Sequence, residues 1–343
     1  MFWGHSMEYT DFYEEFGSPL NPRKQKKLEE FLALQDLRYD RQIEETVNLV
    51  DADGNIAATC SLHANVLKCI AVSEKYQGYG LSPRVVTLMI NRANEKGIKH
   101  LFLFTKPKNY QMFNDMGFYP ITQTDDVLLM ENDRGGIDRY IDSLEKGNGE
   151  NIGAVVMNCN PFTNGHRYLV ETAAAQCDTL HLFVLSEDKS EFPADVRYTL
   201  VEKGVADIPN VIVHKTSDYL ISSAVFPTYF IKDISKAEDA NCILDLKIFC
   251  EHFAKKMNIT KRFVGTEPNC QVTNAYNQQM KKVLSSYGIE VIEIPRKEFD
   301  GKAISASVVR DYLHKGDIES TKNLVPPTTY EYLEKEGSRY KKQ

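Results

Sequence analysis

The chain has 343 residues, with 41 Lys and Arg against 48 Asp and Glu, and so a formal net charge of −7. Apolar residues make up 42% and charged residues 26%, the balance of folded globular proteins rather than of disordered or fibrous ones. An acidic chain has no overall basic field to hold a polyanion by counterion release, which argues against nucleic acid as a partner.

The length favours two domains at roughly 150 residues each. The longest apolar runs, such as Leu101–Phe104 and Val155–Met157, fall far short of the ~20 residues that a membrane-spanning helix needs, so no membrane partner is expected. The start, Met1-Phe2-Trp3-Gly4-His5, has no basic segment followed by an apolar core, which points to the cytoplasm. The seven cysteines are odd in number and form no C-x-x-C pair, so buried, reduced thiols are expected rather than a disulfide framework or a zinc site.

In chain order, Leu28, Phe31, Leu32 and Leu34 place a helix over Arg23–Leu37. Strand-like runs follow at Thr46–Val50 and Ile56–Leu62, joined through Asp53-Gly54, a hairpin turn signal. Val66–Val72 should extend that antiparallel sheet. It leads into Gln77-Gly78-Tyr79-Gly80-Leu81-Ser82 and a helix over Pro83–Lys96 that Gly97 ends, then a strand over His100–Thr105. Between Glu131 and Asn151 the chain turns polar and glycine-rich around one short helix, Ile137–Lys146, which sets the expected domain boundary. The expected division is a mixed α+β domain over 1–134, a linker over 135–150 and an α/β domain over 151–343.

Beyond the boundary, strands at 152–158, 180–185, 211–214, 262–265 and 290–294 alternate with helices at 165–176, 194–204, 274–287 and 305–315, with a helical insertion near 241–256. Such alternation predicts a parallel sheet covered on both faces, with ligands at the carboxyl ends of its strands. The first strand end carries Cys159-Asn160-Pro161-Phe162-Thr163-Asn164-Gly165-His166 and then an amphipathic helix. A helix start offers free N–H groups and partial positive charge to an anion. Thr163 can cap the helix, Gly165 allows close backbone approach, and His166 can stabilise charge developing on a phosphate, acting electrostatically rather than as a nucleophile. Taken alone, the segment also reads as an ordinary loop-to-helix connection.

Near the end, Ile304-Ser305-Ala306-Ser307-Val308-Val309-Arg310 opens another helix, where Ser305, Ser307 and Arg310 can face one polyphosphate. The two motifs together resemble the signature of the nucleotidyltransferase superfamily, T/H-x-G-H and I-S-x-S/T-x-x-R. The resemblance implies that His166 meets the α- and β-phosphates of ATP, with Asn160, Thr163 and Gly165 around them, while Ser305, Ser307 and Arg310 hold the β- and γ-phosphates. The run Ser186-Glu187-Asp188-Lys189, followed by Phe192 and Arg197, is similar to a family segment that makes Lys189 a candidate stabiliser. In Gly265-Thr266-Glu267-Pro268, Gly265 would let the nucleotide lie against backbone and Glu267 would accept from ribose or adenine.

The loop Gln77–Ser82, with Asn109-Tyr110-Gln111-Met112-Phe113 and Gly117-Phe118 after it, resembles the coenzyme A site of the GCN5-related N-acetyltransferases. There Gln77, Gly78 and Gly80 would bind a pyrophosphate through backbone N–H groups; Ser82 departs from the usual small Gly or Ala, which leaves acetyltransferase activity in doubt. The two motifs of the second half do not say whether a phosphate or a carboxylate attacks ATP. A pantetheine-phosphate adenylyltransferase, an N-acetyltransferase and a non-catalytic nucleotide sensor all stay open on residues alone. The fusion, with Phe263-Val264-Gly265-Thr266-Glu267-Pro268 and Val272-Thr273-Asn274-Ala275-Tyr276-Asn277, resembles the citrate lyase ligase family over essentially the whole chain. That implies an acid–thiol ligase: acetate and ATP, with Mg²⁺ on the phosphates, give acetyl-adenylate and pyrophosphate. The thiol of the phosphoribosyl-dephospho-coenzyme A group on the citrate lyase acyl carrier protein then takes the acetyl group and releases AMP.

Overall fold

Asp51 closes the first hairpin: its Oδ1 accepts the N–H groups of Asp53 (3.1 Å) and Asn55 (2.8 Å), while Gly54 takes φ +79°. The computed structural model describes residues 12–186, 190–220, 234–266 and 271–342. These form two units, 12–136 with 234–244 and 137–220 with 245–342.

The first unit carries a seven-stranded sheet in the order β1-β2-β3-β4-β5-β7-β6. Its strands are β1 (Tyr13–Gly17), β2 (Glu45–Val50), β3 (Ile56–His63), β4 (Val66–Val72), β5 (Phe102–Thr105), β6 (Tyr119–Gln123) and β7 (Leu128–Glu131). Helices α1 (Pro22–Leu34), α2 (Leu81–Glu95) and α3 (Tyr110–Asp115) lie between them. Helix α1 begins where Asn21 accepts the Lys24 N–H at 3.0 Å with Pro22 in its first turn. Helix α2 buries Leu81, Val85, Val86, Met89 and Ala93 in the core with Val47, Leu49, Leu67 and Leu103. All pairings are antiparallel except β4 with β5, which pair only at Val66 with Phe102 and Leu67 with Leu103 although both strands run on. The sheet is therefore open at the carboxyl ends of β4 and β5, beside the start of α2.

Inside the stretch read from sequence as linker, α4 (Gly136–Asp142) buries Ile137 and Ile141, and Lys256 pairs with Asp138 (3.2 Å) and Asp142 (2.9 Å). The second unit then builds a five-stranded, all-parallel sheet in the order β10-β9-β8-β11-β12. In chain order its elements are β8 (Ile152–Met157), α5 (Asn164–Ala174), β9 (Thr179–Val184), α6 (Ala194–Gly204), β10 (Val211–Lys215), α7 (Ile234–Ile248), α8 (Lys255–Met257), β11 (Lys261–Gly265), α9 (Gln271–Ser286) and β12 (Glu290–Ile294). Of α7, the residues from Asp245 onward belong to this unit, and a π-helical turn over Phe249–Ala254 joins it to α8. A short hairpin, β13 (Glu298–Phe299) with β14 (Lys302–Ala303), precedes α10 (Ala306–Lys315) and α11 (Pro327–Glu336).

The chain builds outward from β8 to β9 and β10, then returns to the other side of β8 for β11 and β12. The switch in strand order falls between β8 and β11, where an open parallel sheet leaves a crevice at its carboxyl edge. Against the sheet Val155, Leu180, Leu182 and Phe263 pack in one apolar core with Val170, Ala173, Leu200 and Val201 of α5 and α6. Gly153 is needed there, since a Cβ would sit 2.4 Å from Cys177 Sγ and 2.8 Å from the Phe263 ring. Among the described residues no helix is long and apolar enough to cross a membrane, and the six described cysteines are free, four of them buried.

Candidate functional site

Strand β8 delivers the chain to the switch point and the loop after it turns at once into α5. Thr163 caps that helix: its hydroxyl accepts the His166 N–H at 3.3 Å, and the Thr163 N–H donates to His166 Nδ1 at 3.1 Å. A ring nitrogen that accepts a backbone N–H carries no proton, so in the neutral imidazole the proton is on Nε2, which is left as the donor. The ring stacks on Phe162 with centroids 5.9 Å apart and planes 11° from parallel. Burial, with the nearby Arg296 cation adding to it, pushes His166 from its ordinary 6.5 down to about 4. At neutral pH it is therefore an uncharged donor held in one orientation.

Gly165 joins this turn to the second motif. A Cβ there would lie 3.0 Å from the Ile304 carbonyl oxygen, so glycine lets the start of α5 sit tightly against the strand-like lead into α10. Helix α10 is capped by Ser305, whose hydroxyl accepts the Val308 N–H at 3.3 Å and lies 2.8 Å from the Ser307 hydroxyl. One turn along, Arg310 Nη1 donates to the Asn160 carbonyl, and Asn160 Oδ1 accepts the Phe192 N–H at 3.0 Å. Asn164 Nδ2 donates to the carbonyls of Asn323 (3.0 Å) and Val325 (3.1 Å). Thus Asn160, Thr163, Gly165, His166, Ser305, Ser307 and Arg310 come together at two adjoining helix starts.

The loop from β9 to α6 is held by a buried arginine. Arg197 donates through Nε to the Phe192 carbonyl (2.9 Å) and through Nη1 to the carbonyls of Asn158 (2.8 Å) and Leu185 (2.6 Å). Charge-assisted bonds of this kind are about twice as strong as neutral ones, so the ends of β8 and β9 and the start of α6 are fixed to one side chain. Lys189, on this loop, lies outside the described residues, as does Glu267. Gly265 ends β11; its carbonyl accepts Asn277 Nδ2 at 3.2 Å, and among the described residues nothing lies within 4 Å of where a Cβ would stand.

Sequence reading passed over Arg296, Glu191 and His314. Arg296 follows β12 and donates from Nε to the Thr266 carbonyl at 3.0 Å; a basic residue just past a parallel strand end was the available signal. His314 Nε2 lies 2.7 and 2.9 Å from the two carboxylate oxygens of Glu191. Nothing local in the sequence pairs those two. A cavity of about 480 Å³, within the size range of small-molecule sites, opens beside the cradle and shares Asn164 and Ile304 with it; Lys297, Glu298, Phe299, Lys322 and Tyr330 are among its other walls.

At the two helix starts the polar side chains are donors: an imidazole N–H, hydroxyls and a guanidinium. Among the described residues no group of three His, Cys, Asp or Glu could hold a metal ion. The set fits an extended anion such as a polyphosphate.

In the first unit, Gly78 (φ +84°) and Gly80 (φ +70°) both take the left-handed conformation, and Gly80 stands at the N-cap of α2 with no side chain to occupy the free N–H groups. Gln77 and Tyr79 are exposed. Tyr76 anchors the loop from beneath, donating to Asp51 Oδ2 at 2.8 Å and packing edge-on against Phe12 (5.1 Å) and Tyr79 (6.2 Å).

Residues 152–333 match the citrate lyase ligase C-terminal domain, and residues 8–118 match the acetyltransferase (GNAT) family. The chain is 43% identical to [Citrate [pro-3S]-lyase] ligase of Escherichia coli strain K12 over 91% of each chain. It is also 43% identical to the protein of that name from Klebsiella pneumoniae over 91% of this chain and 93% of that one. A putative nicotinate-nucleotide adenylyltransferase from Vibrio parahaemolyticus, 16% identical, aligns with 57% of this chain and 98% of its own at a TM-score of 0.39, and nothing below rests on that likeness. The family model spans more than half of the chain and the relatives nearly all of it, with one domain matched to each unit, so the chain belongs to the citrate lyase ligase family.

Proposed function

We propose that the protein is an ATP-dependent acid–thiol ligase that activates acetate as acetyl-adenylate. It passes the acetyl group to the thiol of a phosphoribosyl-dephospho-coenzyme A group on the citrate lyase acyl carrier protein. The observation that carries this reading is the packing of Gly165 on Ile304, which brings the start of α5 against the lead into α10 in a chain of this family. An acetate oxygen attacks the α-phosphorus, its bond forms as the bond to pyrophosphate breaks, and the thiol then displaces AMP from the acetyl carbon. His166 Nε2–H donates to an α- or β-phosphate oxygen as charge grows there, while Ser305, Ser307 and Arg310 hold the β- and γ-phosphates. Mg²⁺ carried on the phosphates would neutralise charge during transfer. Lys189 as a further stabiliser, and Gly265 with Glu267 against ribose or adenine, belong to the same reading.

In this scheme residues 151–343 form the adenylate, and residues 1–134 dock the acceptor arm through Gln77, Gly78 and Gly80, joined through 135–150, in the cytoplasm. Incubation with ATP, Mg²⁺ and acetate should give AMP and pyrophosphate. ADP and inorganic phosphate as the first nucleotide products would refute it.

A further inference from the structure

Arg310 and His314 are one turn apart on α10 and face the same carboxylate. Glu191 places Oε2 3.9 Å from Arg310 Nε, while His314 Nε2 is 2.7 Å from Oε1 and 2.9 Å from Oε2. An ionised carboxylate only accepts, so His314 is the donor to both oxygens. Among the described residues Glu191 is the one carboxylate within 4 Å of the Arg310 guanidinium. Glu191 and His314 are partly buried, with side chains 26% and 21% exposed. Phe192, next to Glu191, stacks on Tyr340 at 4.2 Å.

A carboxylate so placed has two choices. It can bind His314, or it can swing onto Arg310, where a carboxylate fits the guanidinium fork as a phosphate does. We infer that His314 is a positioning residue that holds Glu191 off Arg310 and so keeps that guanidinium available to a polyphosphate. Two features support this over a plain surface ion pair. Both Glu191 oxygens are committed to His314 while the Arg310 contact is long, and Arg310 spends its short bond on the Asn160 carbonyl, which aims it at the end of β8. The inference rests on Arg310 meeting the phosphates of ATP, as proposed above.

The test is titration of the full chain with ATP and Mg²⁺ by calorimetry, beside acetate-dependent pyrophosphate exchange. In His314→Ala the released carboxylate competes for Arg310, and the Kd for ATP should rise about tenfold, the scale of one charge-assisted contact, with kcat changed far less. His314→Gln keeps a donor and should stay near the parent. Adding Glu191→Gln to His314→Ala removes the competing charge at equal shape and should restore affinity to within about twofold of the parent. Glu191→Gln alone, which covers the case of a His314→Ala protein that does not fold, should bind ATP at least as tightly as the parent. The inference is overturned if His314→Ala binds ATP normally, if the double variant stays as weak as the single one, or if Glu191→Gln weakens ATP. Arg310→Ala separates the two levels: if it weakens ATP while His314→Ala does not, only the positioning role falls; if it leaves ATP binding intact, the phosphate role of Arg310 falls and this inference with it.

Discussion

His166 shows how one residue's environment settles its chemistry. A histidine with its ordinary pKa would be part charged near neutrality and would titrate in the working range of the enzyme. Burial and the Arg296 cation push this one down to about 4, and the Thr163 N–H fixes its proton on Nε2. We therefore expect His166→Ala to lower kcat on the order of 10²-fold with the fold intact. The rate profile of the parent should show no acid limb near pH 6.5 from this group. Near-normal turnover in the folded variant would remove His166 from the mechanism. Thr163, Gly165, His166, Ser305 and Arg310 were legible because each motif is contiguous and opens a helix, so local order alone puts the groups side by side. Arg296 and Glu191 were not, because strand order and a loop fold-back bring them in from separate segments, and His314, one turn from Arg310 on α10, takes its meaning only from the distant Glu191.

At the scale of elements, turns and periodic helices were read closely. The hairpin around Asp53-Gly54, helix α6 at Ala194–Gly204 and strand β12 at Glu290–Ile294 fall where residue pattern places them. Strands β1, β6 and β7 escaped because they are short and Pro120 and the glycines nearby mask their alternation, and α11 because Pro326-Pro327 reads as a stop although proline is tolerated in a first helical turn. Gly165→Ala should push α5 from Ile304 and weaken ATP binding by about tenfold or more, measured by the same calorimetric titration; unchanged affinity would show that the two helix starts do not act as one cradle. Strands β9 and β10 carry a second consequence. His181 Nδ1 and His214 Nε2 lie 2.9 Å apart in the core, and burial, joined for His214 by its histidine neighbour, pushes both from 6.5 down to about 4. Between those two pH values the unfolded chain binds protons that the folded chain refuses, so stability falls as pH drops from about 6.5 toward about 4. Replacing both histidines by leucine should make the fall in melting temperature across that window shallower, with the share of His166 left in place. An equally steep acid loss in a folded double variant would assign the effect to other groups.

For the whole molecule the question is how two units share one reaction. The second unit holds the donor cradle and, on our reading, accounts for ATP and the acid. The first has a sheet that opens between β4 and β5 and a helix, α2, whose N-cap is a left-handed glycine, which leaves backbone N–H groups for an anion. The acceptor arm of the proposed reaction carries a pyrophosphate in its dephospho-coenzyme A part, and on our reading the left-handed glycines at 78 and 80 would receive it. Gly80→Asp would force a Cβ onto a residue at φ +70° and set a carboxylate against the bound anion. Acetyl transfer to the carrier protein should fall by about tenfold or more, while acetate-dependent exchange of pyrophosphate into ATP continues at the parental rate. The two half-reactions can be assayed apart, so the outcome is sharp: loss of exchange in a folded variant, or unimpaired acetylation of the carrier, would mean that the first unit does not serve the acceptor. If the expected pattern is found, acid activation belongs to the second unit and thiol delivery to the first.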